Sequence, residues 1–166
     1  MRVAWVAVTA GLVGAAVGAM RAATRLDRLH MRTDAAWAAL DAALYRRAVT
    51  ASALGGYPAL RRAAHAAVLG GPSAREELEN ELGRSLSALN RGGLEIACAS
   101  RLADAEQAVV IARRVYNDAV RDTLALRSRR MVRWLRLAGT APLPRYFEIV
   151  EPALPVYGLE LDGAGA

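Results

Sequence analysis

LADAEQAVVIARRVYNDAVRDTLAL, residues 102–126, is the stretch that decides the fold. Within it Leu102, Ala105, Val109, Ala112, Tyr116, Ala119, Thr123 and Leu126 recur at alternating intervals of three and four, which lays a single stripe along an α-helix. A strand would need apolar residues at every second position, and the stretch does not supply them. The pattern predicts a long helix that begins near Leu94 and ends near Ser128.

Upstream, a second long stripe is formed by Leu26, Leu29, Thr33, Trp37, Leu40, Leu44, Ala48, Ala51 and Leu54, again at helical spacing. Gly55-Gly56-Tyr57-Pro58 ends it, with Pro58 suited to the first turn of a short helix that runs to Gly70-Gly71-Pro72. Ser73 and Glu76 have the spacing of a capping box. Leu78, Leu82, Leu86 and Leu89 then predict a helix to about Asn90, closed by Gly92-Gly93. Four amphipathic segments joined by short connections predict an all-α protein, an up-and-down four-helix bundle, because short loops force neighbouring helices to be antiparallel.

Before the bundle, residues Val3 to Met20 carry no charge, and Thr9 is their one hydroxyl. As a helix they would span roughly 27 Å, against a hydrocarbon core of about 30 Å. Arg2 and Arg21 bracket the segment, so residues 1–22 are expected to be a transmembrane anchor, residues 23–138 the bundle and residues 139–166 a Pro/Gly-rich, partly disordered tail. Arg21, Arg25, Arg28 and Arg32 follow the segment while Arg2 alone precedes it. That imbalance predicts a single-pass protein of the cell membrane with its soluble domain in the cytoplasm. Gly14 and Gly18 form a GxxxG pair with Ala10 one step earlier, a face on which a second copy could pack to give a homo-oligomer. The competing reading is a cleaved signal peptide, with Val17-Gly18-Ala19 as the small-residue cleavage site of an exported helical protein.

Composition agrees with closely packed helices. Apolar residues make up 54% of the chain and aromatic ones only 5%, so the core must come from alanine and leucine. All 22 cationic side chains are arginine, a bias that a GC-rich genome explains without any selection for arginine chemistry. A net charge of +6 favours acidic partners, either a lipid bilayer or nucleic acid. The arginines gather around the expected anchor and one short segment without interleaved aromatic residues, which argues for lipid and against nucleic acid; a nucleic-acid-binding basic bundle is the alternative. Lone Cys98 excludes an internal disulfide and is expected to be a small, mostly buried thiol.

Several motifs together resemble those of the LemA family. They are Trp37-Ala-Ala-Leu40-Asp41 with Leu44-Tyr-Arg46-Arg47, then Ile111-Ala112-Arg113-Arg114-Val-Tyr116-Asn117-Asp118-Ala119-Val120-Arg121, and the closing Tyr146-Phe147-Glu148. The resemblance covers about Arg25 to Glu148. It implies a bacterial membrane protein with an N-terminal anchor, a four-helix bundle of bromodomain-like handedness, a cytoplasmic domain and no established enzymatic activity. The chain departs from the family after its last long helix, where an apolar stretch gives way to Arg127-Ser-Arg-Arg-Met-Val-Arg-Trp134-Leu-Arg136.

No residues of a catalytic, cofactor-binding or metal-binding kind converge on a site, and no cofactor is expected. Glu76, Glu77, Glu79 and Glu81 open a helix, where negative charge suits the macrodipole, so they read as a solvated face; no Glu has a His three residues on, as di-iron bundles require. His30 and His65 lie on different helices and neighbour no Ser or Cys nucleophile. In an antiparallel pair Asp41 comes level with residue 111, which predicts a structural pair between Asp41 and Arg113 or Arg114, with Trp37 packed near Tyr116. From Arg129 to Ala138, Met131, Trp134, Leu135 and Ala138 share one helical face while Arg129, Arg133 and Arg136 lie opposite. This short helix either meets anionic lipid with its arginines or plugs the open end of the bundle with Trp134. Function then reads as a scaffold whose protein partners the sequence does not name.

Overall fold

The structure, a computed structural model, describes residues 2–134 and 142–150; within the first range the side chains of residues 2–4, 6–8 and 131 lie outside the description. Among the described residues five α-helices follow one another: α1 (Arg2–Ser52), α2 (Pro58–Leu69), α3 (Arg75–Ser87), α4 (Ile96–Arg127) and α5 (Arg130–Trp134). Among the described residues there is no strand, and the chain is all-α.

Nothing breaks α1 for 51 residues, or about 75 Å. It contains no proline, and alanine, the strongest helix former, recurs throughout. The helix stops where Gly56 adopts φ 83°, a left-handed conformation that glycine takes without strain. Pro58 then starts α2 in its first turn, as the sequence predicts. At the far end of α2 a Cβ on Gly70 would run into the tip of the Leu78 side chain and lie 3.0 Å from the Ala66 carbonyl oxygen, so a larger residue there would force Leu78 of α3 to turn aside. The expected capping box does not form. Pro72–Ala74 wind into a 3-10 turn that carries Ser73 inside it, and Ala74 becomes the N-cap with no side-chain bond.

α4 runs antiparallel to α1 and packs along it, while α2 packs on α1 and α3 on α2. The order is up, down, up, down, but α2 and α3 have only 12 and 13 residues against 32 in α4, so four helices surround a core at one end alone. The expected up-and-down order of four helices is present, but its four-helix part is confined to one end, and along its length the long α1–α4 pair has three different covers. At the distal end Leu54, Leu60, Ala64, Leu82, Leu86, Leu89 and Leu102 are buried together. In the middle Leu40, Leu44, Val109, Tyr116 and Val120 pack against Phe147 and Ile149 from the C-terminal segment. At the foot Ala22, Leu26 and Leu126 enclose Val132 of α5. Between these last two layers the hydroxyls of Thr33 and Thr123 meet at 3.1 Å, joining the two stripes across the seam.

Residues 142–150, within the expected tail, form an extended strap whose backbone is held by side chains of the helices. Tyr116 donates its hydroxyl to the Arg145 carbonyl at 2.8 Å. Asn117 both accepts from the Phe147 N–H at 3.0 Å and donates to the Phe147 carbonyl at 3.2 Å. Glu76 accepts from Glu148 N–H at 3.0 Å, and Asn80 from Val150 N–H at 2.8 Å. Side chains satisfy a segment that has no helix or sheet to do so. Residues 151–166, expected to be disordered, lie outside the described residues.

Among the described residues no helix is long and apolar enough to cross a membrane. The expected span Val3 to Met20 includes residues 3, 4 and 6–8, whose side chains lie outside the description. Its described large apolar side chains, Trp5, Leu12, Val13, Val17 and Met20, are all exposed.

Phe147 fills the middle layer, so Phe147→Ala should cost about 3 to 4 kcal/mol in urea unfolding. Tyr146→Ala, at an exposed neighbour on the same strap, should cost less than about 1 kcal/mol. Equal losses at the two positions would mean that the strap is not packed as described.

Candidate functional site

Arg47 and Glu79 are the buried charged pair at the heart of the domain. Arg47 continues the inward stripe of α1 beyond Leu44, and Glu79 shares the inward face of α3 with Leu82 and Leu86. Each residue is 1% exposed, and Arg47 Nη2 lies 2.6 Å from Glu79 Oε2. The expectation that Glu79 belongs to a solvated acidic face is thus corrected. Glu76, Glu77 and Glu81 are exposed, whereas Glu79 falls three residues before Leu82 and turns inward with it.

The charges step outward from there. Arg75 Nε is 3.4 Å from Glu79 Oε1, and Arg75 Nη2 is 2.6 Å from Asp41 Oδ1 at the surface. A cleft of about 420 Å³ between α1 and α2 runs beside this ladder, floored by Ala38, Ala42, Ala48 and Ala67, whose small side chains leave the space. A second buried carboxylate, Glu106 of α4, receives both Nη atoms of Arg91 at 2.7 and 2.9 Å.

Asp41 consequently does not form the predicted pair with Arg113 or Arg114. Trp37 packs on Tyr116 with ring centroids 5.3 Å apart, and four residues further along α1 and back along α4 bring Asp41 level with about residue 112, at the expected height. The face was wrong. Asp41 points around α1 toward α3, where Arg75 meets it, while Arg113 is half-buried and Arg114 exposed on α4. Trp37 also meets the Phe147 ring edge-on at 5.7 Å, so the predicted Trp37–Tyr116 contact is part of a three-ring cluster closed by the strap.

Of the segment expected to contact lipid, α5 describes Arg130–Trp134, and Leu135, Arg136 and Ala138 lie outside the described residues. Trp134 does not plug the bundle. It is 85% exposed, and Val132, 1% exposed, fills that end instead. Arg129, Arg130 and Arg133 are exposed beside it. Gly14 and Gly18 lie on an open part of α1, where a Cβ would meet nothing within 4 Å. Among the described residues no three His, Cys, Asp or Glu side chains come together in a way that could hold a metal ion. Cys98 is half-buried, with its Sγ 3.9 Å from Glu95 Oε2.

No family model, curated protein or solved structure matches the chain. The site must therefore be judged on its own geometry. Both buried carboxylates among the described residues are paired with arginine, an arrangement that suits holding a shape. Sequence reasoning missed the Arg47–Glu79 pair although a signal existed: one cation and one anion each stand on an apolar stripe where a leucine would be expected. The strap's polar contacts had no such signal, since Asn80 and Asn117 look like ordinary helix-surface residues.

Two outcomes follow from this geometry. Arg47→Met or Glu79→Leu alone leaves a buried charge without its partner and should destabilise the domain by about 3 to 5 kcal/mol, whereas the double variant should recover most of that loss; additive losses in the unfolding cycle would dismiss the coupling. Burial, then the negative charges of Asp34 and Glu76, push the Tyr116 phenol above its usual value. A group raised on folding stabilises the protein below its unfolded value and loses that contribution as pH climbs through the folded one. Stability should therefore fall above pH about 10, and less steeply in Tyr116→Phe, as measured by urea midpoints across the alkaline range.

Proposed function

We propose that this chain, which resembles the LemA family, is a single-pass membrane protein whose helical domain stands on the cytoplasmic side as a partner-binding scaffold. The observation that carries the reading is the uncovered first part of α1. Trp5, Leu12, Val13 and Met20 are between 63% and 72% exposed, Val17 is 44% exposed, and among the described residues no helix, loop or strap lies over them. Leaving such side chains in water is unfavourable by roughly 25 cal/mol for each Å² of apolar surface, and hydrocarbon removes that penalty. The uncharged run Val3 to Met20 supports the same reading, as do the arginines that follow it.

The scaffold role rests on what the described residues offer. Buried carboxylates are paired, the metal-ligating types are scattered, and the outer faces of a rigid helical pair are available to other proteins. Open Gly14 and Gly18 favour self-association within the bilayer as the first contact to look for.

Full-length chain in isolated membranes should stay in the pellet through alkaline carbonate extraction, and a form lacking residues 1–22 should be released. A single cysteine placed by Ser100→Cys in a Cys98→Ser background should react with a membrane-impermeant maleimide only after the cells are opened. Release of the full-length chain, or a mature N-terminus beginning after Ala19, would overturn the proposal.

A further inference from the structure

We propose that the foot of the domain, α5 together with the turn of α1 that follows the exposed apolar run, is an interface for anionic phospholipid head groups. The proposal rests on the membrane-tethered reading and adds to it a surface and a ligand chemistry. Its first support is placement. Val132 is packed with Ala22 and Leu26, which fixes α5 beside α1 only two to six residues beyond Met20, or about 3 to 9 Å along the helix axis. Whatever α5 presents therefore stands at the edge of the apolar run and not out along the domain.

What it presents is the second support. Trp134 is 85% exposed, though it belongs to a helix whose Val132 is fully packed, so the ring is turned outward by the same contact that anchors α5. Around it lie Arg129, Arg130 and Arg133, and around the adjoining turn of α1 lie Arg21, Arg25 and Arg28, all exposed. Asp27 is the one acid among residues 21–30 and 128–134. None of these six arginines has an ion-pair partner among the described residues, in contrast with Arg32, Arg47, Arg75, Arg84, Arg91 and Arg121, which are all paired further up the domain. Unneutralised guanidiniums that can bind phosphate through two N–H groups, set beside an amphipathic indole, have the chemistry of a lipid–water boundary that carries negative charge. The geometry favours lipid over nucleic acid because Arg21, Arg25 and Arg28, at intervals of four and three, share one face of α1 at the edge of the apolar run and lie next to α5.

Full-length protein reconstituted into vesicles tests this. One set is phosphatidylcholine alone; the other contains one third phosphatidylglycerol; both carry brominated acyl chains. Trp134 is isolated by subtracting the spectrum of Trp134→Phe, which leaves Trp5 and Trp37 in place. Its emission should shift to the blue and be quenched in the anionic vesicles, and remain water-exposed in the neutral ones. Arg129→Gln, Arg130→Gln and Arg133→Gln should each lower the ratio of docked to undocked Trp134 about fivefold, and salt should weaken the effect in the same direction. Protein that floats with both vesicle types while Trp134 emits identically in them would overturn the lipid interface and leave the tether standing. Protein that fails to float with neutral vesicles would overturn the tether itself. An equal blue shift on adding duplex DNA to protein in neutral vesicles would also overturn the inference, because the surface would then be a general polyanion site.

Discussion

The seam between α1 and α4 governs everything else in this chain. Two antiparallel helices in contact through Ala36, Leu40, Ala43 and Leu44 on one side and Val109, Tyr116, Ala119 and Val120 on the other can bury only one stripe each. A pair of that kind leaves both flanks open, and alanine, which draws the helices close together, supplies little apolar area of its own. The chain solves the deficit differently at each height. A helical hairpin covers the distal flank, an extended strap covers the middle, and five residues of α5 cover the foot. The strap must stand in for helix, and that explains why its backbone is met by Tyr116, Asn117, Glu76 and Asn80 from two different helices.

An alanine-rich seam also has a weakness, because shallow knobs permit sliding by a turn at little cost in packing. Directional contacts remove that freedom. Thr33 meets Thr123 across the seam, Arg32 meets Asp122 at 3.1 Å on its edge, and Arg47 reaches Glu79 in the hairpin. A slip of α1 on α4 would part the buried Thr33 and Thr123 hydroxyls, and a slip of α1 on the hairpin would leave the buried Arg47 guanidinium and Glu79 carboxylate unsatisfied, a far larger penalty than mismatched methyl groups. Buried polar groups here select one arrangement among several of similar packing energy. That role does not require the ion pair to add net stability over a hydrophobic substitute.

The periodic parts of this architecture were legible in the residues. Both long stripes, the breaks at Gly55-Gly56 and Gly70-Gly71-Pro72, and the meeting of Trp37 with Tyr116 follow from spacing and from antiparallel counting. Counting fixes height but not azimuth, however, and Asp41 shows the difference. It lies level with the α4 arginines and yet turns to Arg75, because a short hairpin intrudes on the flank that a simple pair would leave free. Glu79 shows a second limit, since a charged side chain on an inward stripe reads as solvated until its partner on another helix is known. Phe147 and Ile149 show a third: an extended segment after several prolines carries no period, and its burial depends wholly on the groove it meets.

The continuity of α1 couples the two ends of the molecule. Its 51 residues contain no proline, and its glycines lie in the N-terminal part, so the exposed apolar run and the helical domain share one rod with no built-in hinge between them. On the tethered reading, the azimuth at which the rod emerges then determines which flank of the domain faces the bilayer. α5 limits that choice. Because Val132 is locked against Ala22 and Leu26, Trp134 and its arginines project from one side of the rod only, and engaging them with head groups would lean the whole domain toward that side. The cleft beside Ala38, Asp41, Tyr45 and Val68 sits on the same rod, so the lean would set its presentation to proteins approaching along the membrane. A short helix held by a single buried valine could in this way orient a surface some twenty residues above it.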